Sequence, residues 1–280
     1  MTTFIINLSN PLSFDKKNDG TYEVTKCKDY VTSVEIPETY LGKPVTSIGT
    51  EAFYHCRSLK NIEIPNSITS IGDNAFDNCD ALRSVFIPES VTNIGCNAFS
   101  SYNLVIYCEV NDKPSGWSLD WMGLDVVYWG VSKGNLTEIE GIEYLIIDAK
   151  AIVTRCLNRV EEIVLPSEIE VNEIKYNVTS IGTRAFYEEF SILQRIYIPS
   201  GVISIGSHAF QECYSLTSIK IPNSVTSIDD CAFAGCTSLS IYCEVSSQPS
   251  SWNTDWNGDR PVYWAGEWEY DDNGNPVPLN

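Results

Sequence analysis

The sequence predicts a β-rich solenoid built from coils of about 23 residues, whose short parallel strands stack on one another. The first observation behind this prediction is a motif of the form Ser-Ile-Gly-x-x-Ala-Phe, which recurs six times in whole or in part. The second is that its phenylalanines recur at a nearly constant spacing within each half of the chain. A unit this short cannot bury its own apolar face, so neighbouring units must stack to form a continuous core. The recurring phenylalanines are Phe53, Phe76, Phe99, Phe186, Phe210 and Phe233.

The first half of each unit has the pattern Leu-x-x-Ile-x-Ile-Pro. Ile62 and Ile64 flank Glu63 in one copy. This alternation predicts a short strand with one buried face and one outward residue. Pro65 ends the strand because it has no backbone N–H for a ladder, and Asn66-Ser67 suits the turn that follows.

The second half of each unit predicts a second short strand and then a corner. Val225 and Ile228 form the apolar pair of one such strand. A glycine follows in five of the six copies, and we expect it to adopt a positive φ at the corner. The recurring phenylalanine enters the interior, so the phenylalanines should form one buried, stacked column in each half of the chain. A cysteine then fills a small slot before the next strand.

The sequence also contains a second, longer repeat, which divides the chain into two tandem copies of one module. Trp117, Trp121 and Trp129 correspond to three later tryptophans at one constant offset. We expect each module to contain an entry segment, three rungs and a Trp-rich capping segment. The tail, 267–280, is rich in Asn, Gly and Pro and is expected to fray. The predicted ranges are 1–130 for the first module (entry 1–33, rungs 34–108, cap 109–130) and 131–266 for the second (entry 131–162, rungs 163–243, cap 244–266).

The tryptophans have two interpretations. The pattern Pro-Ser-x-Trp-x-x-Asp-Trp could present a sugar-stacking platform. A solenoid also ends in an open apolar face that needs a cap, and each Trp segment comes where a series of rungs stops. The sequence favours the cap.

The ten cysteines recur at fixed repeat positions, which is typical of packing slots. Cys56, Cys79, Cys213 and Cys236 share one such position. Side chains that stack in register point the same way, which is poor geometry for a disulfide, so free thiols are favoured over bridges. The chain has no Cys-x-x-Cys and only two histidines, so we expect no metal and no cofactor. Asp229-Asp230 is interpreted as drift within a corner rather than as a calcium ligand pair.

The full pattern, Leu-x-x-Ile-x-Ile-Pro-x-Ser-Val-Thr-Ser-Ile-Gly-x-x-Ala-Phe-x-x-Cys, resembles the BspA-like (treponemal-type) leucine-rich repeat surface proteins. The resemblance covers roughly 34–108 and 163–243. It implies a leucine-rich-repeat solenoid with a curved shape and a concave sheet. It also implies a role at the surface of bacteria or some parasitic protists, in adhesion and protein binding.

Composition limits the partners and the location. Lys plus Arg is 18 and Asp plus Glu is 37, so the formal net charge of −19 opposes binding to nucleic acid and to anionic membranes. Apolar runs such as Val126–Trp129 are too short to span a bilayer. The first ten residues lack the features of a signal peptide. The family resemblance implies a cell-surface or secreted protein. Because the first ten residues lack signal-peptide features, the cytoplasm is the alternative.

No catalytic motif is present, so the sequence favours a non-catalytic module that binds a protein or an extended polymer. An intracellular interaction scaffold is the alternative, and a carbohydrate-binding or glycoside-acting protein is a remote one. The candidate partner-binding residues are the outward strand positions, where exposed aromatics amid polar neighbours are typical of binding. Whether the Trp segments cover the aromatic ones is left open. The candidates are Glu35, Glu63, Phe86, Tyr107, Tyr197, Lys220 and Tyr242.

Overall fold

The computed structural model describes residues 10–101, 104–123, 126–157, 159–187 and 192–279. Its regular structure is almost entirely β-strand, with one short 3-10 helix at Lys133–Asn135. The chain divides into two compact units, Met1–Lys133 and Gly134–Asn280. Within the described ranges, no helix is both long enough and apolar enough to cross a membrane.

The first unit contains eleven described strands, all of them short. They are β1 (Leu12–Lys16), β2 (Tyr22–Cys27), β3 (Ser33–Glu35), β4 (Thr39–Tyr40), β5 (Lys43–Ile48), β6 (Asn61–Glu63), β7 (Ser70–Ile71), β8 (Ser84–Ile87), β9 (Asn93–Ile94), β10 (Val105–Cys108) and β11 (Val126–Trp129).

The second unit repeats this plan with a longer entry and an additional hairpin at its end. Its strands are β12 (Leu136–Ile139), β13 (Ile142–Ile147), β14 (Lys150–Cys156), β15 (Glu162–Val164), β16 (Glu168–Val171), β17 (Ile174–Ile181), β18 (Arg195–Tyr197), β19 (Ser204–Ile205), β20 (Ser218–Ile221), β21 (Ser227–Ile228), β22 (Ser240–Cys243), β23 (Val262–Tyr263), β24 (Trp268–Tyr270) and β25 (Pro276–Pro278).

Each unit is a solenoid with two parallel ladders. The strands of the Ser-Ile-Gly motif, together with one entry strand before them, form what we call the Ser-Ile ladder, β2-β5-β7-β9 in the first unit and β14-β17-β19-β21 in the second. The strands of the Ile-x-Ile-Pro pattern form the Ile-Pro ladder. It is continuous as β15-β18-β20-β22-β23 in the second unit, but in the first it divides into β3-β6 and β8-β10-β11. The solenoid and the length of its coils are therefore as the sequence predicts.

The register follows the repeat period. Ile48 pairs with Ile71, and Ile71 pairs with Ile94, so each isoleucine lies beside its equivalent in the next coil. Equal spacing places the same repeat position directly above its predecessor, so the apolar residues form columns through the core.

The phenylalanine column is confirmed in both units, and all six rings are 0% exposed. The ring centroids of Phe53 and Phe76 are 4.8 Å apart, and those of Phe76 and Phe99 are 5.0 Å apart, with the rings nearly parallel. The second unit repeats this arrangement, with a centroid distance of 5.2 Å between Phe210 and Phe233. The central ring of each column, Phe76 or Phe210, is therefore covered on both faces by its neighbours.

The glycine of the Ser-Ile-Gly motif does not have the role that the sequence predicted. The residue with a positive φ lies two positions later, for example Asn74 at 53°, and Gly72 is not among the residues with positive φ. A Cβ on Gly72 would lie 2.7 Å from the carbonyl carbon of Gly49, and one on Gly206 would lie 2.7 Å from the backbone nitrogen of Thr183. The glycines are required because the backbones of adjacent coils approach each other too closely for a side chain.

The Trp-rich segments continue the coil and close it. Trp117 bridges to Ile94 in parallel register, so this tryptophan takes the place of the next isoleucine. Trp121 then meets the ring of Phe99 edge-on at 6.0 Å, which ends the stacking of parallel rings. Trp117 and Trp121 are 2% exposed, and Trp252 and Trp256 are similarly buried. These four rings cannot form the sugar-stacking platform considered above, because a sugar could not reach their faces.

The entry segments close the other end of each solenoid with antiparallel strands. β1 pairs antiparallel with β2, and β12 and β13 precede β14 in an antiparallel meander. A second hairpin, β4-β5 or β16-β17, enters the first Ser-Ile strand of each unit. The extra residues of the second module lengthen this hairpin, which turns at Asn172 and Glu173, both with positive φ. Antiparallel caps of this kind protect the exposed edge of a parallel ladder.

Part of the tail forms regular structure. β24 and β25 form an antiparallel hairpin with Trp268 opposite Pro278. The Trp268 indole N–H donates to the carbonyl of Cys243 at 3.0 Å, and its ring lies 5.8 Å from that of Tyr242. Contacts of Trp268 with Cys243 and Tyr242 therefore hold the hairpin against the Ile-Pro ladder of the second unit. The composition of the tail alone did not indicate these contacts.

All ten cysteines lie in the described part of the chain, and none of them forms a disulfide. The slot cysteines point back to the coil before them: the Cys79 thiol contacts the Phe53 carbonyl at 3.1 Å, and the Cys236 thiol contacts the Phe210 carbonyl at 2.9 Å. Each slot cysteine therefore connects adjacent coils through a weak S–H···O contact. Two cysteines lie outside the core, since Cys96 is exposed and Cys231 is half-buried.

Candidate binding face

The candidate residues lie on the outward side of the Ile-Pro ladder, which we call the Ile-Pro face. Alternation along each strand turns the isoleucines inward and the residue between them outward. Glu35 is paired with Glu63 in the first unit, and Phe86 with Tyr107. The same row in the second unit pairs Lys220 with Tyr242.

In the first unit, the Ile-Pro face forms an open groove of about 690 Å³. Glu35 and Glu63, side by side, line one part of it, and the half-buried ring of Phe86 lines another. The groove lies where the ladder divides between β6 and β8. Three of the residues predicted from the sequence therefore come together around one concave surface.

Three charged lining residues were not predicted: Glu38, Glu109 and Lys133. Glu109 follows β10, and its carboxylate accepts the backbone N–H of Glu89 at 3.0 Å. Glu244 does the same for Asn223 at 3.0 Å in the second unit. Glu109 and Glu244 occupy equivalent positions of the two modules, and this recurrence could have indicated a role for Glu109. Nothing in the repeat indicated Lys133.

Lys133 lies outside the repeat and reaches into the groove. Its ammonium forms an ion pair with the carboxylate of Glu63, and both side chains are more than half exposed. An ion pair this exposed contributes only about 0–1 kcal/mol. The groove therefore accommodates the ammonium group of a lysine. Because the ion pair is weak, a cation from a partner can compete with Lys133 for Glu63.

Tyr107 is covered, since only 1% of it is accessible, and this is one of the two alternatives that the sequence left open. The ring of Tyr128 on β11 stacks against it with a centroid distance of 5.6 Å. The segment after the last rung supplies one more strand with an aromatic residue in the same outward row.

In the second unit, the tail hairpin occupies part of the same face. Tyr242 is 5% exposed, because Tyr263 stacks on it at 5.2 Å and Trp268 packs against its edge. Of the two alternatives that the sequence left open for Tyr242, the structure therefore shows the covered one. Tyr197 remains open, at 46% exposed.

Lys220 and Arg195 lie beside a smaller cavity of about 290 Å³ between this face and the hairpin. The Lys220 ammonium lies 2.7 Å from the carboxylate of Glu244. Burial lowers the pKa of Lys220, but hydrogen bonds to Glu244 and Tyr270 outweigh that effect and raise the pKa above its ordinary value. The Arg195 guanidinium donates to the side-chain oxygen of Asn275 at 3.2 Å. The cations of this face are thus already engaged by neighbouring groups of the same unit.

Stacked coils of about 23 residues, a phenylalanine column and an outward strand face define the class of the protein, which is a leucine-rich-repeat solenoid. The sequence of this chain matches the family model of the BspA type leucine-rich repeat region in six copies, over residues 22–113 and 158–249. Because these ranges cover more than half of the chain, the chain belongs to this family.

Solved structures with similar chains include a leucine-rich repeat protein from Bacteroides capillosus, with 28% identity over 47% of this chain and 99% of that one and a TM-score of 0.42. A leucine rich cell surface protein from Faecalibacterium prausnitzii is 21% identical, with 91% and 93% covered and a TM-score of 0.37. The pneumococcal vaccine antigen PcpA is 16% identical, with 90% and 87% covered and a TM-score of 0.43. No curated protein matches the chain.

Proposed function

We propose that this chain is a non-catalytic binding module that takes a protein partner on the Ile-Pro face of its first unit, in adhesion at a cell surface. The observation that carries the proposal is the open groove around Glu35, Glu63 and Phe86. Leucine-rich-repeat proteins of this family suggest an interaction or surface-binding module in general. The groove supports a particular place for that interaction.

The shape of the groove favours an extended protein segment over a small molecule. It is an open groove, whereas small-molecule sites enclose most of their ligand. The Phe86 ring offers a half-buried apolar anchor, the kind of residue that dominates binding energy in protein interfaces. Glu35 and Glu63 belong to the paired strands β3 and β6 and not to a free loop, so less conformational entropy is lost when a partner binds.

The charge of the groove favours a basic segment. Among the described lining residues, four are carboxylates, and Lys133 is the single cation. The formal net charge of −19 adds a long-range field of the same sign. A partner that presents lysine or arginine beside an apolar residue would match both the carboxylates and Phe86. The carboxylates are Glu35, Glu38, Glu63 and Glu109.

The cell-surface part of the proposal is supported by the family and by the relative from Faecalibacterium prausnitzii, which is named a cell surface protein. Its test is fractionation of the native organism followed by protease shaving of intact cells. A surface protein is cut by added protease, and an intracellular scaffold is not.

A random peptide library selected on the immobilised chain tests the binding face. We expect enrichment of peptides that combine a net positive charge with an apolar residue. A Glu35→Gln, Glu63→Gln double variant should weaken their binding by about tenfold or more, since two charge-assisted contacts of about 1 kcal/mol each are lost. Phe86→Ala should weaken it by a similar factor.

Glu51→Gln is the matched control, because this exposed carboxylate belongs to the same unit but lies at a corner outside the groove. It should leave affinity unchanged. Enrichment of peptides that bind the double variant and the original chain equally well would show that the partner uses another face. Enrichment of acidic peptides would overturn the proposed charge preference.

A further inference from the structure

The coil corners place one residue of each coil in the same conformation. The residue just before the Ala-Phe pair has a left-handed φ in all six coils: Glu51 58°, Asn74 53°, Asn97 50°, Arg184 55°, His208 58° and Cys231 53°. Side chains at this position leave the backbone in a common direction. Successive coils are about 4.8 Å apart, so corner side chains of adjacent coils are direct neighbours.

At one corner of the second unit, this stacking brings together three groups that bind metal ions. A ring nitrogen of His208, a carboxylate oxygen of Asp230 and the sulfur of Cys231 lie within 4.8 Å of one another, and all three residues are half-buried. The backbone N–H of His208 donates to the carbonyl of Asp230 at 3.1 Å, which fixes the two coils in register. The Ser207 hydroxyl donates to the Asp230 carboxylate and orients it.

The scaffold does not require these side chains. Asparagine suits a left-handed position and fills it at Asn74 and Asn97 in the first unit, whereas cysteine has no such preference. Cys231 also lies outside the buried slot that Cys213 and Cys236 occupy. Neither backbone geometry nor core packing therefore accounts for the thiol at this corner.

We propose that His208, Asp230 and Cys231 form a binding site for a divalent transition-metal ion of the zinc type. Nitrogen, sulfur and oxygen donors together fit Zn²⁺, and a thiolate disfavours Ca²⁺ or Mg²⁺. Around a tetrahedral zinc with bonds of about 2.0–2.3 Å, the donor atoms are roughly 3.5 Å apart, so small rotations of the side chains suffice. Solvent supplies the fourth ligand.

The charges balance at this site. Binding releases the thiol proton of Cys231 to solvent, and the resulting thiolate and the Asp230 carboxylate together neutralise the two charges of the metal ion. Arg184, at the same position one coil earlier, places its guanidinium 5.5 Å from the centre of the Tyr187 ring, so this cation has a partner of its own. The proposal does not depend on the Ile-Pro face.

Cobalt titration of the full chain provides the first test. Co²⁺ bound to a thiolate in a tetrahedral site gives intense visible bands and a sulfur-to-metal charge-transfer band, and Zn²⁺ should displace it. We expect one ion per chain and a loss of the bands in His208→Asn and Cys231→Asn. These substitutions install the residue that the scaffold already carries at Asn74 and Asn97, so the fold should be retained.

Cys96→Ser is the control, because Cys96 is the exposed thiol of the first unit and has Asn97, not histidine, beside it. This variant should keep the bands. Absence of the bands from the original chain, or their persistence in both Asn variants, would overturn the proposal.

Protection from alkylation is the second readout, and it does not depend on the visible absorption bands of cobalt. With Zn²⁺ present, iodoacetamide should modify Cys231 at least about tenfold more slowly, while modification of Cys96 in the same molecule is unchanged. Equal protection of the two thiols, or none, would show that zinc does not bind at this corner.

Discussion

At the scale of single residues, the glycine of the Ser-Ile-Gly motif shows how closely adjacent coils approach. We expect Gly72→Ala to destabilise the protein by about 1–3 kcal/mol, because its Cβ would overlap the backbone of Gly49 and Thr50. Gly134→Ala is the control, since no atom lies within 4 Å of the added carbon there and φ is not in the left-handed range. Urea denaturation measures both, and equal midpoints would contradict the close-approach explanation.

Phe76 lies at the centre of its column, between Phe53 and Phe99, and is fully buried. Phe76→Ala should cost about 3–5 kcal/mol, the usual loss for a core aromatic residue, because it leaves a cavity that two rigid coils cannot close. Phe86→Ala, on the outward row, should cost much less. Thermal unfolding followed by circular dichroism compares the two, and similar losses would mean that the column is not the core.

The cysteines should differ sharply in reactivity. Burial raises the pKa of the Cys108 and Cys243 thiols to about 12, so at pH 8 almost none of either is present as thiolate. Cys96 and Cys231 are accessible and should react first with iodoacetamide in the native, metal-free protein. Mass spectrometry of peptides gives the order. Early modification of Cys108 would show that this coil opens readily.

At the scale of elements, the ends of each solenoid differ from its interior. Each interior coil packs between two coils of the same kind, so the same residues recur in it. The last coil has no further coil to cover its apolar face and needs a cap. Trp121 and Trp256 do this by turning edge-on to the final phenylalanine, at 6.0 and 5.8 Å. The two units arrive at the same cap because they carry the same Trp segment.

The tail hairpin adds a covering element to the second unit, and Trp268 holds it there. Trp268→Ala removes the hydrogen bond to Cys243 and the ring contact with Tyr242, a loss of about 1–2 kcal/mol. Amide hydrogen exchange in β24 should then be faster by roughly tenfold. Amides of β18 and β20 should keep their protection. Unchanged exchange in β24 would show that the hairpin does not depend on this residue.

At the scale of the whole molecule, buried residues form two separate clusters, one from Leu12 to Trp121 and one from Ile142 to Trp256. This separation supports the proposal that the chain consists of two modules, with the predicted ranges 1–130 and 131–266. A chain segment with its own core can fold alone.

We therefore expect residues 134–280, expressed alone, to melt cooperatively and to retain the near-ultraviolet circular dichroism of packed aromatic residues. Residues 70–200, which cut through both clusters, serve as the control and should not fold. A fragment 134–280 with no cooperative transition would mean that the two modules are not independent.

The candidate site could be predicted only in part. Glu35, Glu63 and Phe86 were found because alternation fixes which residues of a repeated strand face outward. Tyr107 and Tyr242 were placed on the correct row, but their burial depends on Tyr128, Tyr263 and Trp268, which come from outside the rungs. The pattern of the rungs fixes the row but does not decide whether the segments that follow the rungs cover it.

The sequence by itself determined the coil length, the stacking register, the phenylalanine columns and the cysteine slots. Each follows from one spacing repeated along the chain, and a constant spacing places like residues on top of one another. The tertiary structure decided why the corner glycine is needed, where Lys133 and the tail hairpin lie, and that His208 meets Cys231 of the following coil. These contacts join side chains from different coils or from outside the repeat, so their distances are set only when the chain is folded.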